Sequence, residues 1–132
     1  MIDPKPQKRY RASLDEWAFF RSWFSTDPCW VCGGKWQELH HILPRVHSGD
    51  DQVENLAPVC RECHGRIEAR DAVARSLIRQ ALLPSNTGYL QQKLGGNAEG
   101  WIERNYPLTH NALDLSSKPE QTTSNRPVSD AA

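Results

Sequence analysis

The sequence predicts a small α+β domain held together by metal. Three observations lead there: two Cys-x-x-Cys pairs, a strand-like stretch between them that carries adjacent histidines, and amphipathic helical segments on either side. The chain has 132 residues, of which 38% are hydrophobic, with 8 Gly and 9 Pro. That composition supports one domain with a small core, and a core of that size gains from a metal staple.

All four cysteines fall in the two pairs, Cys29/Cys32 and Cys60/Cys63. Each Cys-x-x-Cys turn aims two thiolates at one point, and two turns complete a tetrahedral sulfur cage of the kind that suits zinc. A redox dithiol needs only one pair and a βαβ setting, which the pattern lacks. Disulfides belong to exported chains, whereas Met1-Ile2-Asp3-Pro4 runs straight into charge with no apolar signal stretch. Structural zinc is therefore expected, with an iron–sulfur centre as the alternative, and a cytoplasmic location is expected with it. No apolar run is long enough to span a membrane.

The elements follow in chain order. Residues 1–12 carry Lys5, Lys8, Arg9 and Arg11 against Asp3 and read as a flexible basic arm. Ser13-Leu14-Asp15-Glu16 is a capping box, and Leu14, Trp17, Ala18, Phe20 or Arg21, and Phe24 recur at helical spacing, so a helix is expected from Leu14 to Phe24, its aromatics packed on the cysteine module. Asp27-Pro28 ends it. Trp36 to Ile42 predicts the first strand of a hairpin, Pro44 breaks it, and a long loop leads to a second strand over Leu56–Val59, with Pro58 marking an edge. The chain turns helical from Cys63, with His64 at the helix opening. Asp71 caps a further helix through Leu83, Pro84 stops it, and Thr87 caps a short helix ending at Gly95-Gly96. Asn97 opens a last amphipathic segment with Trp101, Ile102 and Tyr106. From Asp114 onward the sequence is polar and reads as disordered. The domain organisation expected is an arm over 1–12, one domain over 13–113 with its core at 29–68 and a helical flank at 71–106, and a tail over 114–132.

Between the cysteine pairs lie Glu38-Leu39-His40-His41-Ile42, Pro44, Asn55-Leu56, and then Cys60-Arg61-Glu62-Cys63-His64. An imidazole takes a proton from water near neutral pH without large tuning, and a divalent ion held by few protein ligands keeps positions open for phosphate and water. This run of residues, about a third of the chain, resembles the HNH endonucleases, the ββα-metal nucleases, in the branch with a four-cysteine zinc. The resemblance implies metal-dependent hydrolysis of DNA. His41 would be the general base, His40 the metal-binding residue before it, Asn55 the group that orients the base, and His64 the second metal ligand. Glu68, one helical turn beyond His64, stands where some members place a third ligand; it is read as a ligand, a hydrogen-bond acceptor for His64, or a solvated residue.

The pattern departs from the family at the residue before the base, commonly acidic and here His40. The catalytic ion implied is magnesium or manganese, and an imidazole ligand shifts the preference toward manganese, nickel or zinc. The loop Ser48-Gly49-Asp50-Asp51 replaces a glycine-rich one and sets negative charge near the expected DNA path. The formal charge is +0, with 16 basic and 16 acidic residues. DNA affinity must then come from local contacts, for which Arg45, Arg66, Arg70, Lys8, Arg9 and Arg11 are the candidates. Two other readings fit the same residues: a non-catalytic zinc module that binds nucleic acid or a protein partner, and a nuclease acting on RNA or branched DNA. Adjacent strand residues face opposite sides, so His40 and His41 can share a site only if the strand twists or bends.

Overall fold

Helix α1 spans Leu14–Trp23 and starts on the expected capping box: Ser13 Oγ accepts from the Glu16 amide at 3.1 Å, and the Ser13 amide donates to Glu16 at 2.9 Å. The computed structural model describes residues 9–109, together with two two-residue strands near the C-terminus, β3 (Pro127–Val128) and β4 (Asp130–Ala131), which pair antiparallel. The remainder of the 114–132 tail and residues 1–8 of the arm lie outside the described residues.

Only one side of α1 is buried. Phe20 and Phe24 pack with Leu56, alongside Trp17, Trp36 and Leu39, on the hairpin. Leu14, Phe19 and Trp23 are exposed, contrary to the expectation that the helix's aromatics are core. The spacing explains this: residues 17, 20 and 24 share one face, whereas 19 and 23 sit together on another.

The cysteine knuckle follows. Lys35 bridges Pro28, the Cys29 amide donates to the Gly34 carbonyl at 2.7 Å, and Gly33 takes φ 79° to close the turn. Strand β1 (Glu38–His41) is shorter than the sequence predicts and pairs antiparallel with β2 (Leu56–Val59), with His40 opposite Ala57 and His41 opposite Leu56. The connecting loop makes two short 3-10 turns, Arg45–His47 and Val53–Asn55. Ser48 adopts φ 70°, and a Cβ at Gly49 would fall 1.7 Å from the Leu43 carbonyl oxygen, so only glycine lets the loop fold back on the strand end.

Helix α2 (Arg61–Glu68) begins earlier than expected. Cys60 is its cap, through a 3.3 Å bond from the Cys63 amide to Cys60 Sγ, and His64 lies one turn in rather than at the opening. Helix α3 (Ala72–Ala81) is capped by Asp71 as its sequence requires. Helix α4 (Pro84–Leu94) opens on Pro84 instead of Thr87, because Asn86 Oδ1 accepts from the Leu83 amide at 2.7 Å and proline suits the first helical position. Helix α5 (Ala98–Asn105) ends at Tyr106. The larger core joins Ile42, Leu43 and Val59 of the hairpin to Ile67, Ile78, Leu90, Ile102 and Tyr106, so the helical flank is built onto the hairpin. The architecture is α+β, with five α-helices among the described residues. No described helix is long and apolar enough to cross a membrane.

Candidate metal centre and cleft

Two clusters of potential metal ligands stand on this frame among the described residues. In the first, the Sγ atoms of Cys29, Cys32, Cys60 and Cys63 lie within 4.8 Å of one another. Backbone amides point at the sulfurs: Val31 to Cys29 and Gly34 to Cys32, each at 3.4 Å, and Cys63 to Cys60 at 3.3 Å. Such donors favour thiolate. A hydrogen bond from Cys63 holds Cys29 down to about 4, and the same bond, with burial, pushes Cys63 far up. Four clustered thiols cannot all ionise unless a cation joins them, and four sulfurs at this spacing are compatible with structural zinc.

The second cluster is His40, His64 and Glu68, whose ligand atoms also lie within 4.8 Å of one another. The two imidazoles are oriented from behind. Tyr106 Oη donates to the Ile42 carbonyl at 2.8 Å and lies 2.8 Å from His40 Nε2, so it accepts the Nε2–H and leaves His40 Nδ1 as a lone pair. Glu38 Oε1 lies 2.7 Å from His64 Nδ1, which fixes that proton and leaves His64 Nε2 free. Both free nitrogens face the same carboxylate oxygen, Glu68 Oε2, at 3.9 Å from His40 Nδ1 and 3.6 Å from His64 Nε2. Burial, with the neighbouring His64, Arg75 and His41, takes His40 down to about 3, so it stays neutral and able to ligate. Hydrogen bonding from His64, then from Arg61, holds Glu38 below the ordinary carboxylate range.

His41 faces the other way. Its Nε2 lies 2.8 Å from Asp51 Oδ1, and its ring meets Trp17 edge-on at 6.0 Å between centroids. Burial lowers its pKa, and the Asp51 hydrogen bond pulls it partly back. Asp51 is itself buried, which opposes ionisation, but the Ala12 amide, His41 and the Arg9 guanidinium outweigh burial and hold it below its usual range. The strand alternation is thus obeyed, with the two histidines on different faces. One cleft of about 680 Å³ nevertheless reaches both, lined also by Trp17, Arg45, His64, Glu68, Arg70 and Trp101.

Several expected residues sit elsewhere than anticipated. The Asn55 side chain makes its hydrogen bonds to Leu43 and Asp50 rather than to His41. It is fully buried: its Oδ1 accepts from the Leu43 amide at 2.7 Å, and its Nδ2 donates to the Leu43 and Asp50 carbonyls at 3.0 Å each. It therefore staples the loop to the strand end, and Asp51 is the group that holds His41. Asp50 and Asp51 do not project negative charge into the cleft. Asp50 is engaged by Tyr89 Oη at 2.7 Å and Lys93 at 3.0 Å, and Asp51 by Arg9 and His41. Residues 9–12 run along this loop. Arg9 donates to Asp51 and to the Gly49 carbonyl, so its charge is spent on the protein rather than held out on a free arm.

Among the other cations, Arg45 is exposed at the cleft, 3.7 Å from Asp51 and over the Trp17 ring at 6.0 Å. Arg70 is exposed and lines the cleft, and Arg11 is exposed outside it. Arg66 is paired with Asp71 at 3.3 Å. Lys8 lies outside the described residues. The roles of Glu38, Asp51 and Tyr106 have no local signal in the sequence: Asp51 is 10 residues from His41, Glu38 is 26 from His64, and Tyr106 is 66 from His40.

A β-hairpin and helix knotted by four thiols, with histidines on the first strand and in the helix, define a ββα-metal scaffold. Residues 29–70 match the family described as HNH endonuclease. The chain is also similar to a cytochrome c-553 of Desulfomicrobium norvegicum, 34% identical over 64 residues that span 43% of this chain and 75% of that protein. No solved structure matches the chain.

Proposed function

We propose that the protein is a metal-dependent endonuclease that hydrolyses DNA at this cleft. The observation that carries the reading is the convergence of His40 Nδ1, His64 Nε2 and the Glu68 carboxylate in the cleft that also holds His41, paired with a buried aspartate. Two imidazoles and one carboxylate suit a divalent first-row ion, or magnesium, with positions left open for phosphate oxygen and water. Such an ion supplies charge neutralisation at the scissile phosphate and at the leaving oxygen.

The chain's own residues supply the rest. Asp51 accepts the Nε2–H of His41, which leaves Nδ1 as the basic nitrogen, and His41 takes the proton of the attacking water there. Because Asp51 stays ionised, it also stabilises the imidazolium that forms. Glu38 holds His64 in its ligating tautomer. Arg45 and Arg70, at the cleft and exposed, contact phosphates on either side of the bond cut. Asn55 acts indirectly, by keeping the Asp50–Asp51 loop against the strand that carries both histidines. Residues 13–113 work as one domain, because the flank packs into the hairpin core.

A Cys-x-x-Cys-His run can also attach c-type haem, and Cys60–His64 has that form. The residues do not fit that use here. Both thiols belong to the four-sulfur cluster, Cys63 is 3% exposed, and His64 is turned to Glu38 and Glu68 in a polar cleft.

The test is nicking of supercoiled plasmid by the purified protein across magnesium, manganese, nickel and zinc, beside His41→Ala. Wild type should cut with at least one ion. The variant should lose about 10²–10⁴-fold in rate while its zinc content, fold and DNA affinity stay unchanged. Wild type that binds DNA and cuts it with none of these ions would make the protein a non-catalytic zinc module.

A further inference from the structure

The helical flank beyond residue 70 supplies none of the potential ligands, yet it places a buried hydroxyl against one of them. Tyr106 is 1% exposed and closes α5. Arg75 lies over its ring at 5.3 Å, Arg79 donates to its carbonyl at 3.1 Å, and Trp101 packs against it at 5.9 Å between centroids. Its Oη is thus delivered to a fixed point between the Ile42 carbonyl and His40 Nε2, 2.8 Å from each.

We propose that Tyr106 is a positioning residue for the catalytic metal: its hydroxyl, committed as a donor to Ile42, accepts only from His40 Nε2 and so holds His40 in the tautomer whose Nδ1 faces His64 and Glu68. This rests on the metal-site reading above and extends it to a residue outside the matched segment. The chemistry is forced by the proton count. A phenol has one proton, and here a backbone carbonyl takes it. Neutral imidazole also has one, and with an acceptor at Nε2 it sits there. The alternative tautomer would place Nδ1–H against the metal position and leave two lone pairs facing each other across 2.8 Å in a dry site. Tyr106 therefore does for His40 what Glu38 does for His64, with a neutral acceptor where burial is deep and a charged one where the site opens.

The experiment uses the full chain with its cysteine metal in place. Long-range ¹H–¹⁵N correlation of the histidine rings reports each tautomer in wild type, and calorimetric titration with manganese measures the cleft site in wild type and Tyr106→Phe. Wild-type His40 should carry its proton on Nε2. Tyr106→Phe should bind manganese about 10–100-fold more weakly, the usual loss when a group orienting a ligand histidine is removed, with cysteine-bound zinc unchanged and a mixed His40 tautomer. A wild-type His40 protonated on Nδ1 would overturn the proposal whether or not the variant folds. Manganese affinity within about twofold of wild type in a folded Tyr106→Phe would overturn it too. Wild type that binds no ion outside the cysteines sinks this proposal and the metal-site reading together. Wild type that binds the ion and shows the Nε2 tautomer, yet cuts no DNA, removes only the nuclease reading.

Discussion

The four-sulfur cluster and the His40–His64–Glu68 cluster share α2, which caps on Cys60 and carries His64 directly after Cys63, yet they are built on opposite plans. The sulfur site is saturated. Two turns supply four ligands of one kind, amides back three of the sulfurs, and Cys29 and Cys63 are almost fully buried. The second cluster is open, with three potential ligands of two kinds, and one of them, Glu68, is 68% exposed and lines the cleft. A closed tetrahedral set exchanges little and contributes to folding, whereas an open set leaves coordination positions for a reactant. The difference teaches that neighbouring residues on one helix can be divided between a closed, buried cluster and one open to a cleft, with burial setting the division.

The largest expected effect breaks the comparison from the sulfur side. Cys60→Ser removes a ligand and the cap of α2 together, so the protein should lose stoichiometric zinc and most of its cooperative thermal transition. A metal-free variant that melts like wild type would show the cluster to be dispensable. On the cleft side, Asp51→Asn should slow cleavage by about 10–100-fold with zinc retained, because His41 loses its charged acceptor. Some loss of stability should accompany it, since Asp51 also ties down Arg9 and the Ala12 amide.

The pH profile sharpens the same point. Burial sets the His41 pKa below the ordinary histidine value, and Asp51 raises it partway back. The neutral, working form therefore persists to lower pH than for a free imidazole. Cleavage should rise through an acid limb below about pH 6.5, the ordinary histidine value, and be flat above it. Removing the Asp51 charge should move that limb further toward acid. A limb that stays in place in Asp51→Asn would separate Asp51 from the base.

Smaller still, Glu68→Gln should weaken manganese binding by about tenfold and leave the melting temperature alone, since the side chain is mostly in water. At the small end, Leu14→Ala should change stability by no more than about 0.5 kcal/mol, because Leu14 is 86% exposed. A loss well beyond that on urea titration would mean that the outer face of α1 is covered.

Motifs whose chemistry is local were legible before any coordinates. Ser13–Glu16 starts α1 and Asp71 caps α3, because caps act over a few residues, and Leu56–Val59 is a strand read from a short apolar run. The paired cysteines and the order of His40, His41 and His64 carry the resemblance of this segment to the HNH endonucleases and foreshadow the two clusters of potential ligands. The exposed side of α1 and the Pro84 start of α4 depart from the sequence expectation because aromatic content and a single threonine are weaker signals than which face meets the core.

What the sequence by itself determined is the α+β class and which side chains could ligate a metal, since ligand chemistry belongs to residue type and spacing. Only the tertiary structure decided which groups hold those ligands. Asp51 rather than Asn55 hydrogen-bonds His41, Glu38 and Tyr106 lie at hydrogen-bond distance from the other two imidazoles, and Arg9 turns inward. Tyr106 and His40 are 66 residues apart in the chain, and a hydrogen bond across that span exists only once helices and hairpin have packed. No local periodicity carries it, because its geometry is set by burial of the ring rather than by its neighbours in sequence.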